Sequence, residues 1–391
     1  MERFLNYRLT IETIGPLFIG SEENKNIAKS EYIIDRNTLY VFDMRKMFNG
    51  LVKYHLDKAY AQDVLQCNRK SNNLWSFLKN NGISYDRYKQ WIAYSLLLPD
   101  NVEIKSNILA FMKDAYSKPY VPGSSLKGAI RTCILNALLL NGENENFATK
   151  TENALKIHER NRKAYLSRNA SEMETSIFKL EPNDIESNGT INELKNVESN
   201  DAVNSIFQGL TISDSEPLDT DCLILCPKID ILPTESHKRN QLKNVVRECI
   251  KPGTKITFYV HIDSKFFHYD DKQILRFIRQ NYLNIEKKYL SSFPSTINSN
   301  DEYKIYLGGG SGFVTKTCVY SLFDERDRAV KNAGEILDSV DSMKGGKNRT
   351  KMGNHLHNFD KYGVAPHTRK STIIDGKTYD FGLCNICFEP I

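Results

Sequence analysis

Lys118-Pro119-Tyr120-Val121-Pro122-Gly123-Ser124-Ser125-Leu126-Lys127-Gly128-Ala129-Ile130-Arg131 turns an extended entry into a helix. Pro119 and Pro122 bias Lys118 and Val121 away from helical dihedrals. Gly123 permits a tight turn, and Ser124 or Ser125 can cap a helix that begins there. An apolar stripe of Leu126, Ala129, Ile130, Cys133, Ile134, Ala137 and Leu138 follows at helical spacing, and Asn141-Gly142 ends it. Lys127 and Arg131 lie four residues apart and share the polar face. Free amides, the positive end of the helix and two cations then converge, which is the recipe for an anion site. Gly128 keeps the first turn bare, so a phosphate backbone can come close. The plainer alternative is a capped amphipathic helix with two solvated basic residues.

Outward from this stretch, the N-terminal side opens with Tyr7–Ile14, whose alternation reads as a strand broken by Gly15-Pro16. Residues 31–42 read as one or two strands around Arg36-Asn37. From about 44 to 98 the pattern turns helical: Phe48, Leu51, Val52, His55 and Leu56 share one face, and Tyr88, Trp91, Ile92 and Leu96 another. The two tryptophans are expected to pack this helical insertion. A strand near Val102–Ile108 precedes the motif. Residues 143–206 are polar, with short helical pieces such as Asn153–Leu166 and a loop-like tract at Glu181–Asn200. Gln208–Ser215 and Asp219–Leu232 read as strands.

The C-terminal side repeats the alternation of a strand at Lys255–Ile262. A helix is predicted over 271–290, striped by Ile274, Ile278, Tyr282, Ile285 and Tyr289 and capped by Asp270 or Asp271. Tyr303–Leu307 is a strand running into Gly308-Gly309-Gly310-Ser311-Gly312. Four glycines and a serine let a backbone approach a ligand, or simply make a turn. The Walker pattern fails, because Phe313 stands where its second glycine belongs. Residues 344–370 carry Lys344, Lys347, Arg349, Lys351, Lys361, Arg369 and Lys370 against the single carboxylate of Asp360. With Phe359, Tyr362, His355, His357 and His367 among them, they suit single-stranded nucleic acid, or form a solvated basic loop. Thr378–Phe388 is expected to close a second sheet.

The chain has 391 residues, 40% hydrophobic and 26% charged, with a net charge of +5. That permits nucleic acid without demanding it. No apolar run of 18 residues exists, so no membrane span is expected, and the start lacks the apolar block of a signal peptide; a cytoplasmic location follows as the default. The eight cysteines are scattered. Only Cys384-x-x-Cys387 has ligand spacing, and strand alternation accounts for it and for Cys222–Cys226 better than zinc does. No metal or cofactor is expected.

The run Pro122–Arg131 resembles the signature of RAMP proteins, the RNA-binding subunits of CRISPR effectors. The Gly15-Pro16-Leu17-Phe18-Ile19-Gly20 segment and the Gly308–Gly312 loop fall where that superfamily has such segments. The Leu210–Ser215 strand, Ala365-Pro366-His367-Thr368 and Gly382-Leu383-Cys384 are most similar to the family of fifth subunits of type III-A Csm complexes. The resemblance implies an α+β fold of tandem ferredoxin-like (RRM-like) domains. The first would span 1–235, with the helical insertion at about 44–98 and the polar region at about 143–206. The second would span 236–391, with the glycine-rich loop and the basic segment. It also implies a non-catalytic subunit that caps the effector filament at the 3′ side of the guide RNA and is needed for guide maturation. Its partners would be guide RNA, the backbone and other Csm subunits, and host nucleases that trim the guide 3′ end. Carried onto this chain, the RNA-binding positions are Gly123, Ser124, Ser125, Lys127, Gly128 and Arg131, with Gly308, Gly309, Gly310, Ser311 and Gly312. The basic residues Lys347, Arg349 and Lys351 join them from composition. The rival is an RNA endonuclease acting on guide precursor through His355, His357 or His367; a metal-positioning aspartate, Asp35 or Asp43, is a further one.

Overall fold

A computed structural model describes residues 3–21, 26–65, 74–98, 104, 107–157, 159–180, 205–233, 240–341 and 359–391. The chain enters as strand β1 (Phe4–Thr13), with Tyr7, Leu9, Ile11 and Thr13 turned inward as the alternation requires. Strand β2 (Asn26–Ile27) is followed by a hairpin of β3 (Tyr32–Asp35) and β4 (Thr38–Phe42). Arg36 takes a positive φ of 53° at its turn.

Helices α1 (Met44–Lys53), α2 (Asp57–Leu65), α3 (Leu74–Asn80) and α4 (Tyr85–Tyr88) come next. The expected helical run then ends early, because Ile92–Leu97 is a strand, β5, paired with β4. Ile92 and Leu96 are four apart and fit a helix face, but Ile92, Tyr94 and Leu96 also alternate, and pairing with β4 decides between the two periods. The buried face of α1 is Met47, Gly50 and Leu51, not the Phe48–Val52 side, which stays exposed. The 44–98 insertion is therefore helices on a three-stranded sheet. Ile33, Phe42, Leu51, Leu78 and Trp91 form its own small core. Leu39, Val41 and Leu96 face the main core instead.

Strand β6 (Ile108–Leu109) leads to helix α5 (Gly123–Leu138), then α6 (Glu145–Leu155) and α7 (Glu159–Ile177). The expected piece at 153–166 thus spans the break between two longer helices. Strands β7 (Leu210–Ile212), β8 (Leu223–Ile231), β9 (Asn240–Ile250) and β10 (Lys255–Asp263) follow. Helix α8 (Asp271–Lys288) begins at a capping box of Asp270 and Gln273 and buries the expected stripe. Strand β11 (Lys304–Tyr306), helices α9 (Val319–Leu322), α10 (Arg326–Asp341) and α11 (Phe359–Tyr362), and strands β12 (Arg369–Ile374), β13 (Lys377–Asp380) and β14 (Leu383–Pro390) complete the chain.

Two large sheets share one hydrophobic core. The first runs β11-β14-β1-β10-β7, antiparallel throughout. Leu9 of β1 stands opposite Phe258 of β10 and Phe388 of β14. The second runs β13-β12-β8-β9-β6-β2. Strands from either side of residue 235 interleave in both sheets, so Thr378–Phe388 does not close a sheet of its own half. β14 joins β1, and the β12–β13 hairpin joins β8. Helices α5 and α8 lie side by side, where Asn281 donates to the Cys133 sulfur at 3.3 Å. Among the described residues no helix is long and apolar enough to cross a membrane.

Candidate nucleic-acid interface

The helix start is built differently from the expectation. Helix α5 begins at Gly123 with Pro122 in the cap position, and neither Ser124 nor Ser125 caps it. The Gly123 amide donates instead to the Asp214 carboxylate at 2.9 Å. A Cβ at Gly123 would lie 2.2 Å from the Ile212 carbonyl oxygen and 2.3 Å from that of Ser213. The tip is thus seated on the end of β7 and its first amide is taken by the protein's own carboxylate. An anion held head-on at that amide is ruled out, and the available surface is the flank of the first two turns. A Cβ at Gly128 would meet no atom of the described residues within 4 Å, so among them that flank is bare as expected.

The flank is one wall of a cleft of about 350 Å³. Ser125, Gly128, Ala129 and Thr132 line it from α5. Gly308, Gly309 and Lys316 line it from the glycine-rich loop and the turn beyond, and Ile19-Gly20 from the segment after β1. Three segments far apart in sequence therefore share one opening. Ser124 is exposed and Lys127 and Arg131 are half-buried on the same helix. Burial, and then the charge of Arg131, lower the pKa of Lys127. The Arg131 guanidinium sits 5.0 Å above the Phe207 ring. Among the described residues neither cation forms an ion pair, and the same holds for Lys316, whose pKa burial and the charge of Arg247 also lower. Crowded cations without carboxylates bind an anion more readily than solvated lysines do, because an anion relieves their mutual repulsion.

The glycine-rich loop has a packing reason for its composition besides any ligand. The Gly309 amide donates to the Phe18 carbonyl at 2.6 Å. A Cβ at Gly308, which has φ +76°, would lie 2.3 Å from that same oxygen. The expected role of Gly308 and Gly309 as a bed for RNA is thus shared with a bed for their own chain. Gly310, Ser311 and Gly312 continue over Phe381 and the side chains of Arg247 and Lys370.

Lys347, Arg349, Lys351, His355, His357 and the Glu181–Asn200 tract lie outside the described residues. Two other cations of the basic segment are spent internally. Arg369 is buried against Asp380, with Nη2 to Oδ2 at 2.6 Å and Nε to Oδ1 at 2.8 Å, and Lys370 reaches Asp230 at 2.8 Å. His367 stacks on Tyr362 with centroids 4.9 Å apart. Asp43 caps α1, accepting from the Arg45 and Lys46 amides, and Asp35 ends β3. Cys384 is buried and Cys387 exposed, on opposite faces of β14. Among the described residues no three His, Cys, Asp or Glu side chains gather as a metal site. Lys316 and Arg247 are not marked by any motif. Lys316 stands four residues past the glycine loop and is findable there; Arg247 reads only as a charged strand residue.

The model of the RAMP superfamily matches residues 10–315, and the chain belongs to that superfamily. Its relatives include proteins named "CRISPR system Cms protein Csm5". That of Streptococcus thermophilus is 28% identical over 83% of this chain and 82% of its own length. That of Mycobacterium tuberculosis is 24% identical over 97% and 96%. Among solved structures, a chain of a Csm–crRNA–target RNA ternary complex of a type III-A CRISPR-Cas system aligns at TM-score 0.61 and 17% identity, over 97% of this chain and all of that one. The crystal structure of Csm5 from T. onnurineus aligns at TM-score 0.59 and 16% identity, over 96% and 99%.

Proposed function

We propose that this chain is the Csm5-type subunit of a type III-A CRISPR effector, and that its cleft holds guide RNA without cutting it. The observation that carries this reading is the meeting of Ile19-Gly20, Ser125, Gly128, Ala129 and Thr132, and Gly308, Gly309 and Lys316 in one opening, with Lys127 and Arg131 on the same helix and, among the described residues, none of the three cations in an ion pair. A ribose-phosphate chain running along the flank of α5 would pass Lys316 on the cleft wall and Lys127 and Arg131 on the helix beside it. Recognition is then by backbone, with weak sequence preference. The names and lengths of the relatives support membership of such an effector; to it we add the role that the family resemblance implies, namely capping the filament at the guide 3′ side, contact with backbone subunits, guide maturation, and trimming of the guide by host nucleases. The first sheet supports the expected ferredoxin-like unit. Its path β1-α5-β7-β10-α8-β14 is βαββαβ, and its order of fourth, first, third and second strand is that of the split βαβ. That unit draws on the whole chain, so we read one such unit with large insertions in place of two in tandem.

The test is the Lys127→Ala/Arg131→Ala double variant of the full chain, titrated with single-stranded RNA over a salt series. The expected loss is about 30-fold, from two charge-assisted contacts at about 1 kcal/mol each after solvent screening. The slope of log K against log salt should fall by about two at most. Effectors assembled with the variant should carry short or missing guide 3′ segments. Unchanged affinity, salt slope and guide length would overturn the site. Wild-type protein should leave labelled precursor RNA intact with or without a chelator; defined products from the protein alone would favour the endonuclease.

A further inference from the structure

Beneath the glycine-rich loop lies a cation whose chemistry the cleft as described leaves unused. Arg247, on β9, holds its guanidinium between the rings of Phe18 and Phe381, 5.4 Å from each centroid. Its Nε and Nη1 are shielded from solvent, and among the described residues neither has a hydrogen-bond partner. Ring faces attract the charge but give the in-plane N–H groups no acceptor. Ser311 is 9% exposed, and its hydroxyl is also buried, without a partner among the described residues. Lys316, on the wall of the cleft, is close enough for the charge of Arg247 to lower its pKa. On the other side, burial, Lys370 and Arg247 lower that of Lys228. Among the described residues Asp230 is the one carboxylate acting on Arg247, and Lys370 already binds it at 2.8 Å. The loop lies directly on this group, since a Cβ at Gly310 would be 3.6 Å from the Arg247 Cζ.

Positive charge in excess of carboxylate, with buried donors left unmet, is the composition of an anion site. We propose that Arg247, Ser311 and Lys316 form a phosphate pocket under the glycine-rich loop, filled by one phosphate group when RNA lies in the cleft. This rests on the RNA-binding reading above and adds to it a specific anchoring residue. The phosphate is either an internal diester or a terminal monoester; the two share their recognition chemistry and are separable by experiment. The loop shifts to admit it, with the Arg247 donors and the Ser311 hydroxyl turning to its oxygens.

The test compares full-length wild type with Arg247→Met, which keeps an apolar filler between the two rings. Inorganic phosphate should raise the melting temperature of wild type and leave that of Arg247→Met unmoved. Internally labelled single-stranded RNA with hydroxyl ends, a 5′-phosphate or a 3′-phosphate should bind Arg247→Met about tenfold more weakly, with a salt slope smaller by about one. An equal loss for all three RNAs identifies an internal diester; a loss confined to one phosphorylated end identifies a terminal monoester. Wild-type RNA affinity and slope in a folded Arg247→Met, or equal protection of both proteins by phosphate, would overturn the pocket. Should Arg247→Met fail to fold, Ser311→Ala/Lys316→Ala takes its place: lost phosphate protection and weaker RNA binding support the pocket, and wild-type behaviour in both overturns it. If wild type binds no RNA at all, the RNA reading fails, and the phosphate arm still decides the pocket by itself.

Discussion

Gly123 and Gly128 stand five residues apart in one motif and do opposite jobs. Gly123 exists for contact with its own protein: a methyl group there would strike two carbonyl oxygens of the β7 end at 2.2 and 2.3 Å. Gly123→Ala should therefore destabilise the fold by about 2 kcal/mol or more, as overpacking against backbone does. Asp214→Ala removes the acceptor of the Gly123 amide and should cost about 1 kcal/mol, the usual worth of a helix cap. Gly128→Ala meets open space and should stabilise α5 by up to about 1 kcal/mol through helix propensity, while narrowing the cleft and weakening RNA binding. Urea unfolding of the three variants, with RNA titration of the third, checks all of this. Equal destabilisation by both glycine changes would show that the tip is not seated as described.

Between elements, the contact of α6 with α10 turns on one carboxylate. Arg328 donates to Glu152 at 2.7 and 3.1 Å, and Asn332 adds a bond at 3.3 Å. Hydrogen bonds from Arg328 hold the Glu152 carboxyl below its ordinary pKa against a smaller desolvation effect, with Asn332 and the Arg328 charge adding to them. A carboxylate lowered on folding gives stability that is present above its unfolded pKa and lost as pH falls through the folded one. The pair is partly exposed, so screening holds its worth to about 1 kcal/mol. Glu152→Gln should thus lower stability at pH 7 by that amount, and the difference should fade as pH falls through the folded-state pKa; a difference that persists after the carboxyl is protonated would assign the loss to packing. Elements of this kind were legible where one period dominated. β1, β10 and the stripe and cap of α8 stand where alternation or helical spacing put them. β5 was not, because Ile92 and Leu96 satisfy both periods over too short a run. The cleft was half legible: its glycine and serine motifs announce themselves, but their meeting depends on pairings hundreds of residues apart. Arg247 was illegible, since a charged residue in a strand ordinarily faces water.

Across the whole molecule, the first sheet is held together by its ends. β14 lies between β11 and β1, and β1 lies between β14 and β10. Beside it, the buried Arg369–Asp380 pair, joined by the Tyr306 hydroxyl at 2.8 Å, ties β12 and β13 to β11. Deleting residues 383–391 should abolish cooperative unfolding and RNA binding together, read by circular dichroism and titration; a folded, RNA-binding product would refute the central position of β14. This arrangement has a bearing on biosynthesis. While the ribosome is still translating, β1 waits with one edge unpaired until residue 390 has left the exit tunnel. A chain that stops short of residue 383 leaves that edge of β1 open, a template for pairing with strands of other molecules, and is expected to aggregate.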